Sequence, residues 1–309
     1  MDNLPAYRDL LTRTDGPPGS SWGLWGAGDA VGTLKLLTPE RVRAAMGSVR
    51  RGAVFPLNWD LDLPEPAIGR RGKPRHHVIS RHPWVRDDLV DNLYLHGSTH
   101  WDALSHVGCP EVGYYNGVQP AAATSRNGIE HMARRGIVGR GVLLDLGPRL
   151  SARGLDYEAA SPIGVDDLEA ARHDQGVDIL PGDILLVRTG WMAHYLRQDL
   201  RWRDRLAQSP TIPGLAATPS MFAFLWDHHV AALAADNYAV EAFPFAPARA
   251  GSLHANCLGL LGLPLGEFFD LEALAADCAR DGAWAFLLTS APLHLAEGTA
   301  SPPNALAIK

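Results

Sequence analysis

The chain has 309 residues, of which 46% are hydrophobic and 20% charged, and its formal net charge is −6. This composition is typical of a globular protein, and an acidic balance without a long basic run argues against nucleic-acid binding. No apolar run approaches ~18 residues and the first residues lack an apolar signal-peptide core, so neither a membrane partner nor secretion is expected. Three widely spaced cysteines without a CxxC pair favour a reducing, cytoplasmic location.

Predicted helices and strands alternate along the chain. Thr38 and Pro39 are typical of a helix N-cap and first turn, and Gly52 can end that helix. The stretch "AVFPLNWDLDLP" predicts a strand, and residues 64–92, rich in proline, arginine and histidine, predict a loop.

Seven further elements are predicted downstream: the strand "GIVGRGVLLDLG", the helix "VDDLEAARHDQG", the strand "ILPGDILLVRTGW", the helix "TPSMFAFLWDHH", the strand "VAALAAD", a helix from Leu271 to Asp281, and the strand "AWAFLLTSAPL". This mixture indicates one α/β domain at 51–309, preceded by an N-terminal extension at 1–50.

The stretch "LHGSTHWDALSHV" contains an unusual concentration of metal-ligating residues: His96, His100, Asp102 and His106. An ideal helix would place them as two pairs on opposed faces, and a strand would separate His96 and His100 by about 13 Å. Ligands lie about 2 Å from their ion, so the chain must bend, and Gly97 permits this. We expect a tight curl from His96 to His100, with Asp102 near the start of a short helix and His106 one turn further on.

These residue types indicate a transition-metal site. Imidazole and carboxylate together suit Zn²⁺, Mn²⁺ or Fe²⁺ better than Ca²⁺ or Mg²⁺, which prefer oxygen ligands alone. Three ligands, His96, His100 and Asp102, leave a position open for water, as catalytic sites do. His106, just beyond them, is the candidate that takes up or delivers a proton.

The stretch "HGSTHWDALSH" resembles the H-x-G-T-H-x-D-x-x-x-H signature of the cyclase family of metal-dependent hydrolases, which includes bacterial kynurenine formamidases and isatin hydrolases. Five other blocks are also similar to family members: "WGLWGAGDAVGTLKLLTPERV", "PGDILLVRTGW", "ADNYAVEAFP", "PLGEFFDLEAL" and "APLHLAEGTASPPNALAI". Ser98 stands where the family has glycine, and Leu104 and Ser105 stand where formamidases commonly have proline. These departures favour the longer, isatin-hydrolase-like members.

The resemblance implies a swivelling β/β/α domain and assembly as a homo-oligomer, a dimer or tetramer, with the extension packing on or swapping between protomers. It implies one or two divalent ions, Zn or Mn, with His96, His100 and Asp102 as ligands and His106 as the catalytic histidine. In two-zinc members a later histidine and glutamate complete a second site. His254 and Glu267 occupy the corresponding blocks, although a surface histidine and a helix-start glutamate are the ordinary alternative.

The expected activity is hydrolysis of an amide, imide, lactone or ester bond in a small cyclic or aromatic molecule by metal-activated water. Two alternatives stay open: a metal-dependent cyclase or dehydratase of secondary metabolism, which needs no nucleophilic water, and a metal- or small-molecule-binding protein.

Two further groups of residues could serve the site. Trp22, Trp25 and Trp101 could form a flat wall for the substrate, although core or interface packing is their ordinary explanation. The polar cluster of Asp236, Asn237 and Glu241 beside a strand end either tunes the site or forms an ordinary turn.

Overall fold

The computed structural model describes residues 4–245, 248 and 250–309. The strands are β1 (Val54–Pro56), β2 (Arg75–His82), β3 (Val85–Asp91), β4 (His100–Asp102), β5 (Ile137–Asp145), β6 (Pro162–Ile163), β7 (Ile184–Arg188), β8 (Gly214–Leu215), β9 (Ala232–Ala235), β10 (Leu265–Glu267), β11 (Ala285–Ser290), β12 (Ala300–Ser301) and β13 (Leu306–Ile308). The α-helices are α1 (Tyr7–Leu10), α2 (Pro39–Ala45), α3 (Ala123–Asn127), α4 (Ile129–Arg135), α5 (Gly147–Ala152), α6 (Val165–Gln175), α7 (Trp191–Arg197), α8 (Leu200–Gln208), α9 (Pro219–Asp227) and α10 (Glu272–Asp281). A π-helix spans Ala255–Leu261, and short 3₁₀ helices span Gly32–Leu36, Met46–Ser48, Tyr115–Gly117 and Pro120–Ala122.

Nine strands form the central mixed sheet, in the order β1-β13-β11-β5-β7-β9-β10-β4-β12. Its middle strands β5, β7, β9 and β10 are parallel, and antiparallel strands extend it on both sides. The predicted α/β class is confirmed.

Both faces of the sheet are covered, because its central strands carry apolar side chains on both sides. Val142 and Leu144 of β5 belong to one buried cluster together with Leu168 of α6. Leu143, between them, belongs to a second cluster together with Leu274 of α10. The alternation along β5 therefore divides the core into two layers.

The N-terminal extension packs on the rest of its own chain. The Tyr7 amide donates to Asp227 Oδ1 at 2.7 Å, and the Thr33 hydroxyl donates to the Ala231 carbonyl at 2.8 Å. At Gly32, where φ is +57°, a Cβ atom would lie 1.9 Å from the Gly262 carbonyl oxygen. Only glycine therefore permits this close approach of the extension to the chain beyond the π-helix.

Several predicted elements are confirmed with small differences at their ends. Thr38 caps α2 by accepting from the Arg41 amide, but α2 ends at Ala45 and a 3₁₀ turn follows, short of the predicted end at Gly52. Helix α6 ends at Gly176 in the left-handed region, as predicted. Strands β5, β7, β9 and β11 and helices α9 and α10 lie where the sequence predicts them.

The loop prediction for residues 64–92 is wrong in its second half. There β2 and β3 form a separate antiparallel hairpin, paired from Arg75 opposite Asp91 to His82 opposite Val85, with a register shift between Ser80 and His82. Every residue of both strands is exposed, and the Trp84 side chain at the turn is 90% exposed. Apolar and charged residues occur on both faces, so the sequence lacks the one-sided alternation that marks a half-buried strand.

Candidate metal centre

The site begins with a bend at the predicted position. The Gly97 amide donates to the Tyr94 carbonyl at 2.8 Å and closes a turn that carries His96. A Cβ atom at Gly97 would lie 2.8 Å from the same carbonyl oxygen, so a larger residue would force the turn open. Glycine is therefore required here for close approach of the backbone.

Beyond this bend, strand β4 carries two of the predicted ligands. His100 and Asp102 alternate with Trp101, so both point to the same face of the sheet. The prediction that Asp102 starts a short helix is wrong, because β4 is held in the sheet by β10 on one side and β12 on the other. His106 is reached instead through a turn in which its amide donates to the Ala103 carbonyl at 2.9 Å.

The buried carboxylate of Asp102 lies at the centre of the cluster. Its Oδ1 atom lies 3.5 Å from His96 Nε2, 3.3 Å from His100 Nε2 and 3.8 Å from His106 Nε2. Two ligands bound at about 2.0–2.1 Å to one tetrahedral ion would be separated by about 3.3 Å. Each of the distances from His96 and from His100 to Asp102 therefore suits two ligands of one ion.

His254 and Glu267 join this cluster from other elements. Strand pairing sets Glu267 of β10 directly opposite His100, and Glu267 Oε2 lies 3.6 Å from His100 Nε2. His254, immediately before the π-helix, places Nε2 3.5 Å from Asp102 Oδ2 and 3.3 Å from Glu267 Oε1. Neither is a surface residue, so the structure brings all five expected metal ligands and His106 together.

Several polar atoms of the cluster are buried without a hydrogen-bond partner. Among the described residues, they include His100 Nε2 and both carboxylate oxygens of Asp102. Isolated buried acceptors are costly, and a buried carboxylate needs a cation or donors near it. Two groups of potential ligand atoms share Asp102: His96, Asp102 and His106, and His100, Asp102 and Glu267. The donor set therefore fits one or two divalent cations.

The electrostatics of the cluster keep its acids ionised. Burial opposes ionisation of Glu267, but the neighbouring imidazoles of His100 and His254 outweigh it and lower the pKa of Glu267 to about 2. Burial, assisted by the charges of His100 and His106, lowers the pKa of His96 to about 3. Ionised carboxylates and a neutral His96 are the protonation states that metal binding requires.

Hydrogen bonds on the far side of two imidazoles fix their orientation. The Nδ1 atom of His100 donates to the Ser98 carbonyl at 2.8 Å, so in the neutral imidazole Nε2, which faces Asp102, is the atom that can bind a cation. The Nδ1 atom of His254 lies 2.6 Å from Glu241 Oε1. Partners of this kind orient metal-binding histidines and raise their basicity.

Within the predicted polar cluster, Glu241 contacts the site residue His254 directly. Its carboxylate also accepts from the Leu253 and His254 amides at 2.7 and 2.9 Å. Asp236 instead accepts from Thr189. The spacing of 13 residues between Glu241 and His254 matches no regular period, so no signal in the sequence indicates this particular pair.

A Glu241→Gln substitution is expected to reduce metal affinity by about 10- to 100-fold, because His254 loses the carboxylate that orients it. Affinity can be measured by competition with a chromogenic chelator. Glu130→Gln is the matched control, since Glu130 is also buried and accepts from a backbone amide, that of Glu297, outside the cluster. Unchanged affinity in Glu241→Gln would show that His254 does not bind the metal.

The three tryptophans have packing contacts. Trp101 is fully buried, with its indole N–H donating to Ser290 Oγ at 3.0 Å, so it does not border an open pocket as proposed from sequence. Trp22 donates to the Gly259 carbonyl at 2.8 Å, and Trp25 packs edge-on against Trp226. The predicted wall is therefore contradicted for Trp101, and for Trp22 and Trp25 it remains a prediction.

Comparison with known proteins places this chain in a family. Residues 57–242, more than half of the chain, match the family model described as "Putative cyclase". The crystal structure of a novel cyclase is 34% identical over 94% of this chain and 99% of that chain, with a TM-score of 0.83. The chain therefore belongs to the cyclase family.

More distant structures share the fold. Isatin hydrolase A from Labrenzia aggregata, bound to benzyl benzoate, is 19% identical, with 84% of this chain and 94% of that chain covered and a TM-score of 0.61. Isatin hydrolase A from Ralstonia solanacearum is 18% identical, with 88% and 98% covered and a TM-score of 0.59. These matches confirm the predicted cyclase-type fold. No curated protein matches the chain.

In the described part of the chain, no helix has both the length and the apolar character needed to cross a bilayer.

Proposed function

We propose that this protein is a metal-dependent hydrolase that cleaves an amide, imide, lactone or ester bond in a small cyclic or aromatic molecule. The observation that carries the proposal is Asp102, a fully buried carboxylate that has no hydrogen-bond donor among the described residues and lies 3.3–3.8 Å from three imidazoles. The membership in the cyclase family and the fold shared with isatin hydrolases support it.

His96, His100 and Asp102 would hold the first divalent cation, Zn or Mn, and His254 and Glu267 would complete a second position. A divalent cation bound there supplies Lewis-acid chemistry and lowers the pKa of water to about 7. Asp102 and Glu267 compensate its charge, while Ser98 and Glu241 fix the rings of His100 and His254.

His106 is the residue placed to move a proton. Its side chain is 28% exposed, more than those of His96 and His100, so it can face a bound substrate. Burial lowers the pKa of His106, which keeps the imidazole neutral and able to accept a proton at neutral pH. The imidazolium so formed can then protonate the departing nitrogen or oxygen.

The reaction class is tested by incubating the protein, loaded with Zn²⁺ or Mn²⁺, with a panel of cyclic imides, lactones, esters and N-formyl arylamines in ¹⁸O-water. Hydrolysis places solvent oxygen in the product, and removal of the metal with a chelator abolishes the reaction. A product without solvent oxygen would indicate the alternative, a metal-dependent cyclase or dehydratase. No turnover of any substrate by metal-loaded protein would favour a binding protein.

We also propose that the chain assembles as a homo-oligomer. The hairpin of β2 and β3 supports this, because an isolated two-stranded hairpin with exposed apolar residues is only marginally stable in water. Light scattering coupled to size exclusion should give a multiple of the 33.4 kDa chain mass, and a single-chain mass would contradict the proposal.

A further inference from the structure

The guanidinium group of Arg71 lies beside the metal cluster. Arg71 Nη1 donates to the His96 carbonyl at 2.5 Å, and its guanidinium carbon lies 5.5 Å from the centre of the Tyr238 ring. Among the described residues, no carboxylate lies within ion-pair distance of Arg71, whereas Lys73 pairs with Glu65 at 2.6 Å. Arg71 also lines a cavity of about 240 Å³, which Asp62, Glu65 and Lys73 border as well and which Tyr238 does not border.

The hydroxyl of Tyr238 points to the same corner. Tyr238 is only 8% exposed, yet in the described part of the chain its hydroxyl has no hydrogen-bond partner. A Cβ atom at Gly69, where φ is +76°, would lie 2.9 Å from this hydroxyl and 3.8 Å from the Arg71 guanidinium carbon. Because Gly69 has no side chain, there is room between the Tyr238 hydroxyl and the Arg71 guanidinium, both of which are hydrogen-bond donors.

This corner is electrostatically connected to the cluster. Burial raises the pKa of the Tyr238 hydroxyl, and the charges of Glu267 and Asp102 raise it further. The charges of Arg71 and His254 lower it by less, so the hydroxyl remains a proton donor close to the expected metal ligands. Asp102, Glu241 and Glu267 would repel an anion approaching the site. A guanidinium beside them offsets this repulsion, and guanidinium groups bind carboxylates strongly.

We propose that Arg71 and Tyr238 bind a carboxylate group of the small molecule that is processed at the metal cluster. The inference rests on the proposed function, and it narrows the substrate class to molecules that carry a carboxylate in addition to the bond that is hydrolysed. Arg71 supplies the charge, and the Tyr238 hydroxyl supplies a second donor.

The test measures binding of benzoate and of its neutral isostere benzamide to the metal-free, full-length protein by titration calorimetry. A hydrogen-bonded charge predicts that wild-type protein binds benzoate about tenfold or more tightly than benzamide. Arg71→Gln should reduce this preference to within about twofold, and Tyr238→Phe should reduce it by about three- to tenfold. Lys73→Gln, which removes an already paired charge nearby, should leave the preference unchanged.

Equal binding of benzoate and benzamide by wild-type protein would overturn the proposal, as would an unchanged preference in Arg71→Gln. If Arg71→Gln does not fold, Arg71→Met and Tyr238→Phe decide, because each removes one of the two donors and keeps the local volume nearly constant. The measurement needs no metal and no turnover. Failure of the carboxylate site is thus distinguishable from failure of the hydrolase function, which is read from metal content and product analysis.

Discussion

Asp102→Asn is expected to abolish both metal binding and turnover. Asp102 is the residue that both groups of potential ligand atoms share, and one of its oxygens lies within 3.8 Å of three imidazoles. Loss of an outer partner already costs about 10- to 100-fold in metal affinity, so loss of the shared ligand should cost more than about 100-fold. Because a bound cation is worth several kcal/mol of transition-state stabilisation, turnover should fall by about 10³-fold or more.

Metal content by elemental analysis and turnover on the best substrate measure these effects. Asp167→Asn is the matched control, because Asp167 is also buried but pairs with Arg153 at 2.8 Å, outside the cluster. This control should keep its metal and lose only some stability. Asp102→Asn protein that retains a full complement of metal would show that the cation binds elsewhere.

His106→Ala is expected to keep the metal and reduce turnover by about 10²- to 10⁴-fold, the range typical of a general acid–base residue. The structure makes this a sharp test, since His106 Nδ1 lies 3.1 Å from His96 Nε2 and His106 also belongs to one of the potential ligand groups. Metal content and turnover of the same preparation distinguish a proton carrier from a ligand.

His194→Ala serves as the control for His106→Ala. His194 is also partly buried, but it stacks on Tyr157 and lies outside the cluster. Its removal should leave both metal content and turnover near wild type. If His106→Ala protein loses its metal, His106 is a ligand, and the proton must be moved by another group.

The central part of the site could be predicted because four of its residues lie within one short stretch. The requirement for a bend follows from bond lengths, and the structure has it at Gly97, next to the Tyr94 carbonyl. The local conformation of Asp102 could not be predicted, because it depends on β10 and β12, which come from much later in the chain. A three-residue strand between two neighbours has no periodic signal of its own.

The distant residues required tertiary information. Glu267 reaches the cluster only because β10 pairs with β4, and the family resemblance, not spacing, indicated it. Glu241 acts through His254, and Arg71 lies at the base of a hairpin that the sequence predicted as a loop. The position of Trp101 within the motif predicts a place in the substrate wall. However, alternation along β4 turns it into the core, on the side opposite His100 and Asp102.

The most direct measurement is X-ray diffraction from crystals of metal-loaded protein, collected on both sides of the absorption edge of the added Zn²⁺ or Mn²⁺. We predict an anomalous peak at the Asp102 carboxylate, within bonding distance of His100 Nε2, and a second, where two ions bind, near His254 and Glu267. Diffraction from fully loaded crystals with no anomalous peak at Asp102 would contradict the metal site and the hydrolase function proposed from it.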